Sequence, residues 1–294
     1  MIYSIENEQL KIQANSVGAQ LWSVYSKKTD TEYLWQGDPT YWKDRAHNLF
    51  PFIGRMDGGK YRYGGKTYAT RAHGLARYFE FVLENKTENS LTFLLTDNEE
   101  TKAEYPFSFE YRVSFILEGN ILTTKYEAKN TDEREMIFTF GGHPGVNIPF
   151  GKGVFEDYYL DFGTPKNTVT RQLLDETNSF MADVALPFSL EEGKIMRLKH
   201  ELFVNDAVIL DDTTHYVSIR STKDPRSVSM RFDDFRFIGV WQAPVPDTPY
   251  ICLEPWDALP GQVDTFVDLE TKPHMKRLAC GEKKCASFTL EINE

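Results

Sequence analysis

Apolar and polar residues alternate with a period of two over much of the chain, as in Phe109-Glu110-Tyr111-Arg112-Val113-Ser114-Phe115 and Leu10-Lys11-Ile12-Gln13-Ala14. That period puts successive side chains on opposite faces of a strand with one face buried. Further alternating, β-branched or aromatic runs lie at 79–83, 91–95, 121–126, 207–210, 216–220, 227–232 and 237–242, and the apolar run Tyr250-Ile251-Cys252-Leu253 reads as a fully buried strand. Between the runs stand Asp57-Gly58-Gly59, Tyr63-Gly64-Gly65-Lys66 and Glu118-Gly119-Asn120, where glycine supplies the positive φ of tight turns. Hairpin spacing predicts antiparallel pairing. Helical periodicity is scarce, with short helices expected only around 40–47, 99–104 and 255–260. The stretch 152–199, interrupted by Pro165 and Pro187, is expected to wrap the fold as long loops and edge strands and is assigned no chemistry. No Ser/Gly/Pro-rich linker or exact repeat divides the chain. The expectation is therefore one domain over 1–294, all-β, a large antiparallel β-sandwich with few short helices.

Composition supports that picture. The 294 residues are 41% hydrophobic and 14% aromatic, enough for a packed core. A net charge of −11 disfavours nucleic acid and anionic membranes as partners, both of which reward an excess of Lys and Arg. The start, Met1-Ile2-Tyr3-Ser4-Ile5-Glu6, lacks the basic and apolar regions of a signal peptide, and no apolar run reaches the length of a membrane span, so the cytoplasm is the expected compartment. Cys252, Cys280 and Cys285 are odd in number and form no C-x-x-C pair, so reduced thiols are expected rather than a disulfide framework or a zinc ribbon. A small molecule is the expected partner of a chain that is a monomer or a homodimer.

Chemistry concentrates in three places. Glu254 sits between the apolar run 250–253 and Pro255, which is expected to end the ladder there. A carboxylate so placed has its neutral form favoured and is tuned toward a base that works near neutrality. His143 follows Phe138-Thr139-Phe140-Gly141-Gly142, a strand expected to end at the two glycines where the histidine emerges into a cleft. His73 stands beside Gly74, and Arg55 follows the apolar run Phe52-Ile53, its guanidinium offering five fixed donors for sugar hydroxyls or a carboxylate. Asp206 lies in Asn205-Asp206, which is also a common turn dipeptide.

The order and separations of these segments resemble the aldose 1-epimerases (galactose mutarotases) across nearly the whole chain. Arg55-Met56 with Gly65-Lys66, Tyr68 and His73-Gly74 are similar to that family's N-terminal block, His143-Pro144-Gly145-Val146-Asn147 to its second histidine motif, and Cys252-Leu253-Glu254-Pro255 to its glutamate motif. Within the family the chain is most similar to the branch typified by the LacX protein of lactose operons. The resemblance implies a large β-sandwich with a cleft on one sheet and cofactor-free interconversion of α and β anomers. It implies Glu254 as general base, His143 as general acid, and His73, Arg55 and Asp206 as substrate-binding residues, although the usual Asp-His-Asn-Phe context of the aspartate is absent. Where the galactose-specific branch has an aromatic residue two positions after its second histidine, this chain has Gly145. That departure leaves the sugar open, and the nearby Arg55, Arg71 and Arg77 make a phosphorylated hexose conceivable.

The residue types suit the reaction. Opening a pyranose requires removal of the C1 hydroxyl proton and protonation of the ring oxygen, which one base and one acid on opposite sides of a cleft accomplish, their roles exchanging on ring closure. A non-catalytic carbohydrate-binding or sensing protein with the same cleft is the alternative. Two histidines and a carboxylate also match the composition of a metal triad, but no H-x-H or H-x-x-x-H spacing is present, and neither a metal nor a cofactor is expected.

Overall fold

The computed structural model describes residues 1–166 and 168–294. Two large sheets, antiparallel throughout, carry the fold. One has seven strands in the order Met181–Ser189, Thr168–Leu174, Val208–Asp211, Phe237–Trp241, Tyr250–Trp256, Gly141–Asn147 and Ala46–Leu49. The other has nine, from Ile195–Arg197 at one edge through Tyr216–Ser221, Lys283–Asn293 and Phe109–Glu118 to Val82–Lys86 at the other. Alternation accounts for how they meet. In Tyr250–Trp256, Ile251 and Leu253 join a core cluster with Tyr111, Phe115 and Tyr126 of the nine-stranded sheet, while Tyr250, Cys252, Glu254 and Trp256 turn to the other face. The same division separates Ile238 and Val240 from Phe237. The seven-stranded sheet thus has a core on one side and, on the other, a face roofed by loops.

The core cluster draws residues from Ile5 to Ile292 and is rich in stacked aromatics, such as Phe50 on Tyr111 with ring centres 4.2 Å apart. Asn48 fixes the edge strand Ala46–Leu49 from this side. Its amide donates to the Gly18 and Ala19 carbonyls, and its oxygen accepts from the Tyr126 hydroxyl at 2.9 Å. Buried polar groups satisfied in this way hold a strand in one position along its length.

Of the three expected helices, one forms. Glu99–Glu104 is the α-helix among the described residues, started by a capping box in which Asn98 accepts from the Thr101 N–H. Residues 40–47 instead make a turn, with the amides of Tyr41 and Trp42 bonded to the Asp38 carbonyl, and then enter the strand at Ala46. The rings of Trp35, Tyr41 and Trp42 pack on Tyr250 and on one another, and that packing overrides local helical preference. Residues 255–260 continue a strand to Trp256 and then form loop. Segment 79–83 is displaced too: the strand is Val82–Lys86, while Glu80 makes an isolated bridge to Val17. The stretch 152–199 supplies edge strands to both large sheets, as its irregular pattern suggests. No helix among the described residues is long and apolar enough to cross a membrane.

Two details near the glycines and prolines differ from expectation. Gly141 and Gly142 open the strand Gly141–Asn147 rather than closing the preceding one, which is Met136–Phe138. Pro255 does not end its strand. It keeps Ile238 as partner on one side, and on the other the ladder with Gly141–Asn147 is unpaired between Gly141–Trp256 and Gly145–Cys252. Pro144 and Pro255 both fall in that gap, and neither has an N–H to give to a ladder.

Candidate active site

The gap in the ladder lies at the centre of the roofed face. Gly141 pairs with Trp256 and Gly145 with Cys252, so His143 stands directly across from Glu254. On its other side His143 pairs with His47, and Glu254 pairs with Gly239, which pairs in turn with Ile209. Residues opposite one another across a sheet point the same way. One row across five strands therefore reads His47, His143, Glu254, Gly239, Ile209, and all but the glycine line a cavity of about 300 Å³. Gly239 has no side chain for steric reasons: a Cβ there would lie 3.3 Å from Glu254 Cβ and 3.1 Å from the Trp256 ring.

Arg55, His73 and Asp206 complete the wall from loops, so all five residues singled out in the sequence meet in one cavity. His73 has φ 63°, a left-handed conformation that histidine adopts more readily than most residues. Its N–H donates to the Gly54 carbonyl at 2.7 Å, and its Nδ1 accepts from the Gly54 N–H at 3.1 Å. That leaves Nε2 as the ring's donor. The next residue must be glycine, because Gly74 has φ 75° and a Cβ there would meet the Phe50 carbonyl oxygen at 2.4 Å. Asp206, also left-handed, lies 3.9 Å from Arg55, and the pair is partly exposed at the rim. Arg55 further donates to the Asn178 carbonyl at 3.3 Å, so 152–199, given no chemistry on sequence grounds, supplies part of the rim together with Leu174 and Ser179.

His143 Nε2 approaches Glu254 Oε2 to 3.1 Å, yet Oε2 accepts no aligned hydrogen bond, and His143 Nδ1 also has no partner. Both side chains are almost wholly enclosed. Burial pushes the Glu254 carboxyl well above its ordinary range, and the Asp206 carboxylate pushes the same way. The indole of Trp256 pulls in the opposite sense, though its N–H is not aligned for a hydrogen bond. Burial pushes His143 well below 6.5, helped by His73 and His47, whose ring centres lie 5.4 and 5.5 Å away. A buried acid and a buried imidazole in contact favour states of zero net charge: one proton resides on the pair, and moving it between partners creates or removes an ion pair without changing the total.

The expectation that His143 faces Glu254 across the cleft is therefore corrected. They are cross-strand neighbours on one sheet, both at the floor of the cavity. The geometry still suits ring opening, because the anomeric oxygen and the ring oxygen are both bonded to C1 and present themselves side by side.

Sequence reasoning passed over His47 and the aromatic roof. His47 is buried, held down to about 4 by burial, and its Nε2 lies 3.3 Å from Asp44 without hydrogen-bond alignment. Asp44 in turn takes a 2.8 Å bond from Arg77. Trp42 stacks on His143 at 4.9 Å and meets Trp241 edge-on at 5.5 Å. It also explains Gly145, since a Cβ there would lie 3.2 Å from the Trp42 ring. Of the clustered arginines, Arg55 and Arg77 line the cavity. Arg71 is turned aside, gripped by both oxygens of Glu104.

Comparison with known proteins agrees with this arrangement. The aldose 1-epimerase family model matches residues 1–283. The plasmid and chromosomal LacX proteins of Lactococcus lactis subsp. lactis are each 35% identical over 300 residues, covering 99% of both chains. A galactose mutarotase related enzyme from Lactobacillus acidophilus is 37% identical with a TM-score of 0.93, over 100% of this chain and 98% of that one. A galactose mutarotase-like protein from Lactobacillus casei is 30% identical with a TM-score of 0.94, over 100% of both. The galactose 1-epimerase of Lactobacillus acidophilus, 13% identical with a TM-score of 0.72 over 99% of this chain and 93% of that one, shares the fold. With the motifs in order along the chain and their residues gathered on one sheet face, the chain belongs to the aldose 1-epimerase family, and it is an enzyme of the isomerase class.

Proposed function

We propose that this protein is a mutarotase that interconverts the α and β anomers of a free aldohexose by general acid/base ring opening and closure. The observation that carries the reading is the enclosed His143–Glu254 contact at 3.1 Å, in which neither His143 Nδ1 nor Glu254 Oε2 has a protein partner. Glu254 removes the proton of the C1 hydroxyl while His143 protonates the ring oxygen. Rotation about C1–C2 in the open aldehyde follows, and the two groups exchange roles as the ring recloses. His73 Nε2, Arg55 and Asp206 hold the remaining hydroxyls, and the rings of Trp42 and Trp241 cover an apolar sugar face. A cavity of about 300 Å³ is at the small end for ligand sites and fits one pyranose.

A free sugar is favoured over a 6-phosphate by charge. Each cavity arginine already faces a carboxylate, Arg55 with Asp206 and Arg77 with Asp44. A phosphate dianion would meet those carboxylates without an uncommitted cation. Polarimetry of freshly dissolved hexoses and their 6-phosphates tests this. The protein should accelerate equilibration of at least one free hexose, and Glu254→Gln should nearly abolish the effect. No acceleration with any sugar in the panel would sink the proposal.

A further inference from the structure

Cys252 projects from the same strand face as Glu254, two residues away, and lies diagonally across the ladder from His143. The sulfur of Cys252, a ring nitrogen of His143 and a carboxylate oxygen of Glu254 lie within 4.8 Å of one another, all three residues buried. Zinc holds such ligands at about 2.0–2.3 Å, which sets neighbouring ligand atoms roughly 3.5 Å apart in a tetrahedron. The present cluster exceeds that spacing by about 1.3 Å at most. Two of the three groups carry a buried atom with no partner, His143 Nδ1 and Glu254 Oε2, so neither atom is held by a competing bond. The separation of the residues in sequence, a histidine on one strand and a Cys-x-Glu on the next, hides the set from any search for closely spaced ligands.

We infer that His143, Cys252 and Glu254 form a binding site for a thiophilic divalent cation of the zinc type, and that occupation of this site blocks the enzyme. A thiolate, an imidazole and a carboxylate select zinc over magnesium or calcium, which prefer oxygen ligands alone. On binding, the Cys252 thiol proton passes to solvent, His143 donates a neutral nitrogen, and three protein ligands leave a fourth position for water. The ion takes up both the proton acceptor and the proton donor of the proposed reaction, so it competes with the sugar. The inhibitory consequence rests on that reading of His143 and Glu254. The binding itself does not.

The experiment is equilibrium dialysis of the full chain against zinc, in a Cys280→Ser/Cys285→Ser background that removes the two other thiols. One zinc per chain is expected, lost by more than about tenfold in affinity when Cys252→Ala or Glu254→Gln is added. Cobalt in place of zinc should give a thiolate-to-metal charge-transfer band that Cys252→Ala abolishes. In the polarimetric assay zinc should raise the apparent KM of the parent, while Cys252→Ala keeps its basal rate and becomes resistant. Zinc binding indifferent to Cys252→Ala, no binding at metal in tenfold excess over protein, or a rate increased by zinc would each overturn the inference. Stoichiometric, Cys252-dependent binding to a protein without mutarotase activity would uphold the site while refuting the proposed function.

Discussion

Replacing Glu254 by glutamine keeps the shape of the side chain and removes its ionisable proton, and the burial of this group makes activity and stability move in opposite directions. The carboxyl is 1% exposed, and its pKa lies well above the ordinary 4.5 because burial, and then Asp206, disfavours the anion. A folded-state pKa above the unfolded one means that the native protein binds the proton more tightly. The stability linked to that proton is complete below 4.5 and is lost as pH rises toward the folded pKa. At pH 7 the loss can reach about 2.5 pKa units at about 1.4 kcal/mol each, a ceiling of about 3.5 kcal/mol, while at pH 5 the ceiling is about 1 kcal/mol. Glu254→Gln escapes this penalty. Its advantage over the parent should widen between pH 5 and pH 7, by at most about 2.5 kcal/mol, which is a few degrees of Tm in a chain of this size. Removal of a positioned base should meanwhile cut the mutarotation rate by about 10² to 10⁴. Thermal melts at the two pH values and polarimetry on the same preparations check both. A variant less stable than the parent at pH 7, or a stability gap that does not change with pH, would show that attraction to a protonated His143 outweighs burial and would refute the reasoning.

Three further outcomes follow from particular contacts. His47, held down to about 4, stays neutral in the fold while the unfolded residue begins to protonate below 6.5, so stability falls with pH from there; at pH 5.5 it should account for about 1 kcal/mol, which His47→Gln removes from the pH dependence of urea midpoints. Gly74→Ala combines a left-handed backbone with a clash on the Phe50 carbonyl and should cost about 3 kcal/mol by chemical denaturation. Arg71→Ala should leave the KM for hexoses unchanged, because the side chain is committed to Glu104 and lies outside the cavity, whereas a rise specific to 6-phosphates would place a phosphate near it.

What could be read from the chain follows from which faces are buried. Phe109–Glu118 and Ile121–Asn130 each bury one face, so alternation marks them and their register is fixed by it. Ala46–Leu49 is buried on both faces, leaving no period to detect, and His47 was lost with it. The roof was hidden for another reason. Trp42 reaches the site through a loop whose shape is set by packing on Trp35 and Tyr250, contacts across some 200 residues that local pattern cannot express. Glu254 and His143 were visible because a polar residue inside an apolar run is conspicuous, but their being neighbours depends on strand order.

That neighbourhood depends on the two prolines. A continuous ladder through residues 142–144 and 253–255 would tie both strands with hydrogen bonds at the point where His143 and Glu254 stand abreast. Pro144 and Pro255 delete two donors there, while the pairings of Pro144 with Ala46 and of Pro255 with Ile238 keep each strand anchored on its outer side. The sheet is thus anchored on both flanks of the pair and lacks two ladder donors between them. An acid and a base need a fixed separation and freedom from competing bonds: the anchored flanks supply the first, and the unpartnered His143 Nδ1 and Glu254 Oε2 show the second. A proline follows each catalytic candidate, and Pro255, expected to end its strand, instead lets the strand run on to Trp256 while withholding a donor from the ladder beside the site.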